Sequence, residues 1–301
     1  MDPTLPPAPE FGRRPFIGMT AAAAGSLACA ASALADNQTL GKPHPPLVGE
    51  DDPAIVVERP QLRQAARSID AYAAYPRNND GSTPGVVVSQ HIWGVDAQIR
   101  DTVRRLAKAG YVTVAPDLYA GLGAPSGDGQ SDYTIFAPFA AKLDPHQIDG
   151  DLAAAATWIR ARVGAAPLQR PPKVGIIGFC MGGRNALRAA IDDAGVFDAL
   201  VVFYGAVRWD ASKNQGPISD AALAWTKDLK VPVMGQYGAR DTSILADDVR
   251  AAQVRLAVPN DIKVYPEAGH AFFDDTRKSY VLAAAADAWM RTLSWFGRYL
   301  H

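Results

Sequence analysis

Cysteine is almost absent: 301 residues hold two, Cys29 and Cys180. So few thiols exclude a disulfide framework and a cysteine-built zinc site. A surplus of either charge is missing as well. Lys and Arg total 30 against 31 Asp and Glu, a formal net charge of −1, and no basic run breaks the balance. That distribution offers no electrostatic footprint for nucleic acid. Strongly apolar runs long enough to span a bilayer are lacking too; the nearest, Gly18 to Leu34, is short and rich in Ala and Gly. What remains is ordinary globular composition, 48% hydrophobic and 20% charged, which argues against disorder.

The N-terminus reads as an address. Residues 1–10 are Pro-rich; Gly12-Arg13-Arg14-Pro15-Phe16-Ile17 then precedes the apolar run, and Ala33-Leu34-Ala35 closes it in a small-x-small form. Paired arginines, an apolar stretch and such a site make a secretory signal, here of the twin-arginine type, which exports folded proteins. The expectation is a signal peptide over residues 1–35, cleavage after Ala35, and a periplasmic or secreted protein without a membrane span. Ser26 stands where a lipoprotein needs an aliphatic residue before Cys29. Cleavage would leave Cys180 as the sole cysteine, unable to form an internal disulfide.

Residues 36–53 are polar and Pro-rich, an arm ahead of a domain over 54–301. Ile55–Val57 and Ser68–Tyr75 read as strands, and Gly85–Ser89 as a strand covered on both faces. Val95–Ala109 has helical periodicity and stops at Gly110; Tyr111–Ala115 is the next strand. Leu118–Leu143 is a long connection of the kind that carries function. Asp144-Pro145 opens a helix to about Val163, with Asp as N-cap and Pro at the first helical position. Strands at Val174–Gly178, Ala199–Phe203, Val233–Tyr237 and Ile262–Val264 alternate with helices at Gly182–Ile191, Leu245–Leu256 and Tyr280–Tyr299. The alternation predicts one α/β domain with a mostly parallel sheet and flanking helices.

Gly178-Phe179-Cys180-Met181-Gly182 sits between a buried strand and a helix. It is the nucleophile-elbow pattern with Cys in place of Ser. A tight strand-to-helix turn lifts the side chain above the sheet, and glycines two residues away on either side leave room for it. Free N–H groups at the helix start favour a thiolate. The elbow order is nucleophile, acid, His. Asp241 in Gly238-Ala239-Arg240-Asp241 and His270 in Glu267-Ala268-Gly269-His270 follow strands in that order. Of five histidines, only His91 and His270 lie just past strands, where open α/β sheets place their sites.

Cys180 in G-F-C-M-G-G, Asp241 in G-A-R-D and His270 in E-A-G-H-A-F resemble the triad of the dienelactone hydrolase family. Pro116–Tyr119 and Gln90–Asp96 resemble that family's segments, and the similarity covers most of residues 55–300. The resemblance implies an α/β-hydrolase fold that opens esters or lactones through a Cys-Asp-His triad and a thioester. It places the oxyanion donors on the backbone N–H groups of Ile92 and Met181, and it calls for neither cofactor nor metal. Trp93, Tyr119, Tyr204 and Phe272 are candidates for the substrate pocket. The partner expected is a small ester or lactone, acted on by a monomer or small homo-oligomer.

Three positions depart from the family pattern. His91 stands where the family has a Glu that partners the thiol; His91 is open to two roles, pairing with the thiolate or capping its loop. The family's loop Arg has no counterpart, since no Arg lies between Arg105 and Arg160, and Asp274 replaces the Arg four residues after the His. Without both carboxylate clamps, a typical dienelactone is not the expected substrate. Arg184 and Arg208 are the alternative anchors. Two other readings compete: a non-catalytic binding protein on the same fold, and a thiol redox protein. A metal hydrolase built on His91, His270 and Asp241 finds no ligand spacing to support it.

Overall fold

The computed structural model describes residues 38–79, 81–163, 172–210 and 216–301. The expected signal peptide, residues 1–35, lies outside the described residues, as do the first two residues of the arm.

Nine strands form one sheet. They are β1 (Ile55–Glu58), β2 (Gln61–Gln64), β3 (Arg67–Pro76), β4 (Gly85–Ser89), β5 (Val112–Pro116), β6 (Val174–Phe179), β7 (Ala199–Phe203), β8 (Val233–Gly238) and β9 (Asn260–Tyr265). The order is β1-β3-β5-β4-β6-β7-β8-β9, with β2 paired to β3 at the margin. From β5 to β9 all pairs are parallel; β3 runs antiparallel to both β1 and β5. This is the mostly parallel α/β sheet that the alternation of elements predicted, in the α/β-hydrolase form that the resemblance implied.

Every residue of β4 to β8 is buried, because helices cover both faces. The strand period of two divides the side chains cleanly. Val87, Ile176, Leu200 and Val202 face one core with α3 (Pro145–Val163), α4 (Met181–Asp192) and α5 (Ala246–Gln253). Val86, Val88, Ile177, Val201 and Phe203 face the other, with α1 (Ala97–Lys108) and α6 (Leu282–Leu300). The short α2 (Ala137–Ala140) lies within the long connection after β5 and closes a third, small cluster of Trp93, Tyr119 and Phe136.

One strand was not foreseen. β2, with the sequence QLRQ, has no apolar run, and its hairpin to β3 turns at Ala65 with φ 51° where no turn residue signals it. The arm is laid across the sheet's C-terminal edge. Gly41 N–H donates to Thr276 O at 2.7 Å and Lys278 N–H to Thr39 O at 3.0 Å. Among the described residues no helix is long and apolar enough to cross a membrane.

Asp144 caps α3 as its sequence position predicts: its carboxylate accepts from the N–H groups of His146 at 2.8 Å and Gln147 at 3.1 Å. Asp144→Ala should cost about 1 kcal/mol and lower Tm by about 2–4 °C in a domain of this size. Thermal unfolding checks this, with hydrolytic activity at 25 °C unchanged.

Candidate active site

The site gathers at the C-terminal ends of the parallel strands, where the loops after β4, β5, β6, β7, β8 and β9 meet. Cys180 ends β6 and precedes α4. Its backbone is held at φ 55° and ψ −118°, a region costly for a residue with a side chain. Two glycines make the turn possible. A Cβ at position 178 would stand 2.1 Å from Gly182 O, and one at 182 would stand 2.2 Å from Ser89 O. Backbone bonds fix the turn: Cys180 N–H to Phe203 O at 3.0 Å, and Gly183 N–H to Cys180 O at 3.0 Å.

His270 and Asp241 stand together as their order predicts. His270 Nδ1 lies 2.7 Å from Asp241 Oδ2. The other carboxylate oxygen of Asp241 accepts from Ser243 N–H at 2.7 Å and Ile244 N–H at 3.0 Å. Asp241 is buried and has no freedom to turn away. The remaining imidazole nitrogen is left for the thiol. Burial pushes the Cys180 thiol up, but the charge and hydrogen bond of His270, aided by His91 and the Met181 N–H, outweigh it and hold the thiol below its ordinary value. Burial likewise disfavours a charge on His270, yet the facing thiolate and the Asp241 carboxylate raise it well above an ordinary histidine. Both shifts run in the direction that favours a thiolate–imidazolium pair.

Met181 is the first residue of α4, so its N–H has no partner within the helix. Ile92 lies in a tight turn, His91 to Gly94, closed by Gly94 N–H donating to His91 O at 3.2 Å. Among the described residues the Ile92 N–H meets no backbone acceptor. His91 itself is buried at 4% exposure, with Nε2 3.3 Å from Asp96 Oδ1.

The four pocket candidates divide. Trp93 and Tyr119 wall a cleft of about 350 Å³ that also touches Arg59, Arg100 and Asp117. Both arginines are engaged, Arg59 with Glu50 at 2.9 Å and Arg100 with Asp128 at 2.8 Å. Tyr204, with φ 39°, sets its ring 5.1 Å from that of His270, tilted by 55°, and backs the imidazole. Phe272 belongs to the core instead. Ala271, at φ 58°, reverses the chain after His270, and Phe272 turns inward, fully buried against Tyr265 and Tyr204.

The alternative arginine anchors also divide. Arg208 is buried and bidentate to Asp248, at 2.6 and 2.9 Å, so it is structural. Arg184 is exposed on the first turn of α4 and borders a second cleft with Trp209 and Ile244. Sequence reading missed a buried ion pair beside His91. Asp274 accepts from Thr276 N–H at 3.0 Å and lies 3.4 Å from Arg277 Nε. The Arg277 guanidinium covers the Trp93 ring at 4.2 Å and donates to Gln130 O at 2.6 Å. Nothing in the spacing marks Arg277, since its partners come from two distant loops. Among the described residues no three His, Cys, Asp or Glu side chains converge to hold a metal.

Comparison with known proteins agrees with this architecture. The dienelactone hydrolase family model matches residues 69–300. A Salmonella typhimurium protein named as a carboxymethylenebutenolidase is 36% identical over 260 residues, spanning 85% of this chain and 92% of its own. An Escherichia coli K12 relative of the same name is 37% identical over 256 residues, 84% of this chain and 91% of its own. A Klebsiella pneumoniae structure described as a dienelactone hydrolase superposes with a TM-score of 0.70 at 36% identity, covering 82% of this chain and all of that one. A family match over most of the chain and relatives this similar along nearly their whole length identify an ester or lactone hydrolase, and the chain belongs to the dienelactone hydrolase family.

Proposed function

We propose that the protein hydrolyses an ester or lactone through a Cys180-Asp241-His270 triad and a thioester intermediate. The observation that carries this reading is the 2.7 Å His270–Asp241 pair set beside a cysteine held at an elbow. The Cys180 thiolate attacks the acyl carbonyl carbon, and the Ile92 and Met181 N–H groups receive the developing oxyanion. His270 carries the thiol's proton and gives it to the leaving oxygen. Collapse of the tetrahedral species breaks the acyl–oxygen bond and leaves the acyl group on sulfur. Water then attacks the thioester; His270 takes its proton, and the acid leaves as the thiol is restored. Asp241 holds the His270 tautomer and steadies its charge.

The substrate class follows from Asp274 and from the cleft walled by Trp93 and Tyr119, residues of the candidate oxyanion turn and of the loop after β5. Asp274 points into the protein rather than to a ligand, and the cleft arginines already have carboxylate partners. Trp93 and Tyr119 offer apolar ring surface. A small neutral ester or lactone fits this lining better than a dicarboxylate. The non-catalytic and redox readings gain nothing from a preserved Asp-His pair. We further propose that residues 1–35 direct export, on the strength of Arg13-Arg14 and the Ala33-Leu34-Ala35 site.

Incubation with a p-nitrophenyl acyl ester should give a burst and an acyl mass on Cys180 by intact mass spectrometry. Cys180→Ala and His270→Ala should each reduce kcat by roughly 10⁴-fold or more while the far-ultraviolet circular dichroism stays unchanged. Wild-type turnover by Cys180→Ala would end the proposal.

The thiolate is favoured by His270, so the pH midpoint for iodoacetamide alkylation should lie below that of a free cysteine, about 8.5. His270→Ala removes the largest of the influences that oppose burial, so its midpoint should rise. Stopped-time alkylation across pH 5 to 10 reads both.

Expression in a bacterial host with a working twin-arginine system should yield periplasmic protein beginning at Asp36. An Arg13→Lys, Arg14→Lys double variant should stay in the cytoplasm at full length. Terminal sequencing of each fraction decides it.

A further inference from the structure

Two consecutive peptide units separate His91 from Trp93, and every polar group on them is engaged except one. In the first unit, His91 O accepts from Gly94 N–H at 3.2 Å. Its other end is the Ile92 N–H, which the carbonyl's orientation aims the opposite way, without a backbone acceptor among the described residues. The second unit is gripped at both ends. Ile92 O accepts from the Tyr119 hydroxyl at 2.8 Å, and Trp93 N–H donates to His91 Nδ1 at 3.2 Å. The imidazole therefore reaches over its own turn and holds the peptide two residues on, as an Asx side chain does.

We infer that His91 and Tyr119 are positioning residues that clamp the Ile92–Trp93 peptide and so aim the free Ile92 N–H at the oxyanion. The inference rests on the triad reading above. Three titratable groups act on the His91 ring: Asp96 at the start of α1, Asp274 in the loop after β9, which is itself paired with Arg277, and Cys180 beside α4. Burial works against a charge on the ring, and the carboxylates outweigh it and raise the ring above an ordinary histidine. The clamp is made by the neutral ring: while Nδ1 accepts from the Trp93 N–H, the one ring proton is on Nε2, toward Asp96. Asp96 is itself fixed, accepting from Ile99 N–H at 3.2 Å as the N-cap of α1. A chain of contacts thus runs from α1 through Asp96 and His91 to the turn, and Tyr119 closes it from the loop after β5. In this arrangement His91 serves the oxyanion as a neutral ring; only a charged His91 would lower the Cys180 thiol.

A preorganised oxyanion donor stabilises the transition state and not the ground state. Loss of the clamp should therefore lower kcat and leave KM alone. His91→Asn keeps an acceptor of the same reach; His91→Leu removes it; Tyr119→Phe removes the hydroxyl and keeps the ring. Steady-state kinetics on a p-nitrophenyl ester should show kcat reduced roughly 10²-fold in His91→Leu and about tenfold in Tyr119→Phe, with KM unchanged in both. His91→Asn should recover kcat to within about threefold of wild type. The pH midpoint of Cys180 alkylation by iodoacetamide should stay at the wild-type value in all three.

Full activity in both His91→Leu and Tyr119→Phe overturns the proposal, as does a His91→Asn variant as slow as His91→Leu. A raised alkylation midpoint that accompanies the loss overturns it too, by assigning His91 to the thiol. The last three outcomes arise with an acyl-Cys180 still forming in the wild type, so they count against the clamp alone. A wild-type protein that forms no acyl-Cys180 removes the triad reading and the clamp with it.

Discussion

The left-handed backbone at Cys180 is the constraint on which the site depends. A non-glycine residue at φ 55° stores of order 1–3 kcal/mol, and only a frame that allows no alternative keeps it there. The frame is the parallel sheet. β4 lies on one side of β6 and β7 on the other, so Ser89 O and Gln90 O press on Gly182 while Phe203 O takes the Cys180 N–H. Tyr204 at φ 39° and Ala271 at φ 58° share the condition. Among the described residues, three of the four non-glycine positions at positive φ lie at or beside the Cys180–His270 cluster. The strain is concentrated where neighbouring strands end side by side and their loops must turn sharply over one another.

The electrostatics follow from that placement. The turn buries the thiol beside His270, and burial alone would keep both groups neutral. Each group favours the charged form of the other, and Asp241, locked by the Ser243 and Ile244 amides, supports the imidazolium. The pair is therefore cooperative: a thiolate stabilises the imidazolium, and the reverse. Such coupling opposes the burial that by itself makes a thiol inert, which is what the proposed nucleophilic role of Cys180 requires.

Most of this was legible in the residues. The continuous apolar runs of β4, β6 and β7 identify strands with helices on both sides, and the glycines at 178 and 182 announce the elbow between them. The chain order Cys180, Asp241, His270 singles out two residues, Asp241 and His270, that the structure brings to 2.7 Å of one another. Elements defined by polar edges were less legible. β2 carries no apolar signal because it lies at the margin of the sheet, and Ala65 hides its turn. Phe272 looked like a pocket wall because it follows His270 by two residues. The positive φ of Ala271, which no side chain reveals, sends it into the core instead. Arg277 was invisible for a different reason: its ring and carbonyl partners, Trp93 and Gln130, are far away in sequence.

Arg277 and Asp274 also bear on what the site accepts. In the family pattern the position four residues after the triad His carries an arginine directed at a substrate carboxylate. Here that position is an acid, and its charge is consumed internally by Thr276 and Arg277. The guanidinium is buried in turn, lying on Trp93 and binding the long loop through Gln130 O. The Arg277 backbone bridges to Leu40 of the arm. The residue thus joins three segments of the protein, the loop after β9 and the loop after β5 through its guanidinium and the arm through its backbone. An ion pair with both members buried is costly to break, so it does not open to admit a carboxylate. The same exchange explains the preference proposed for neutral esters and the tight closure of the wall that Trp93 presents to them.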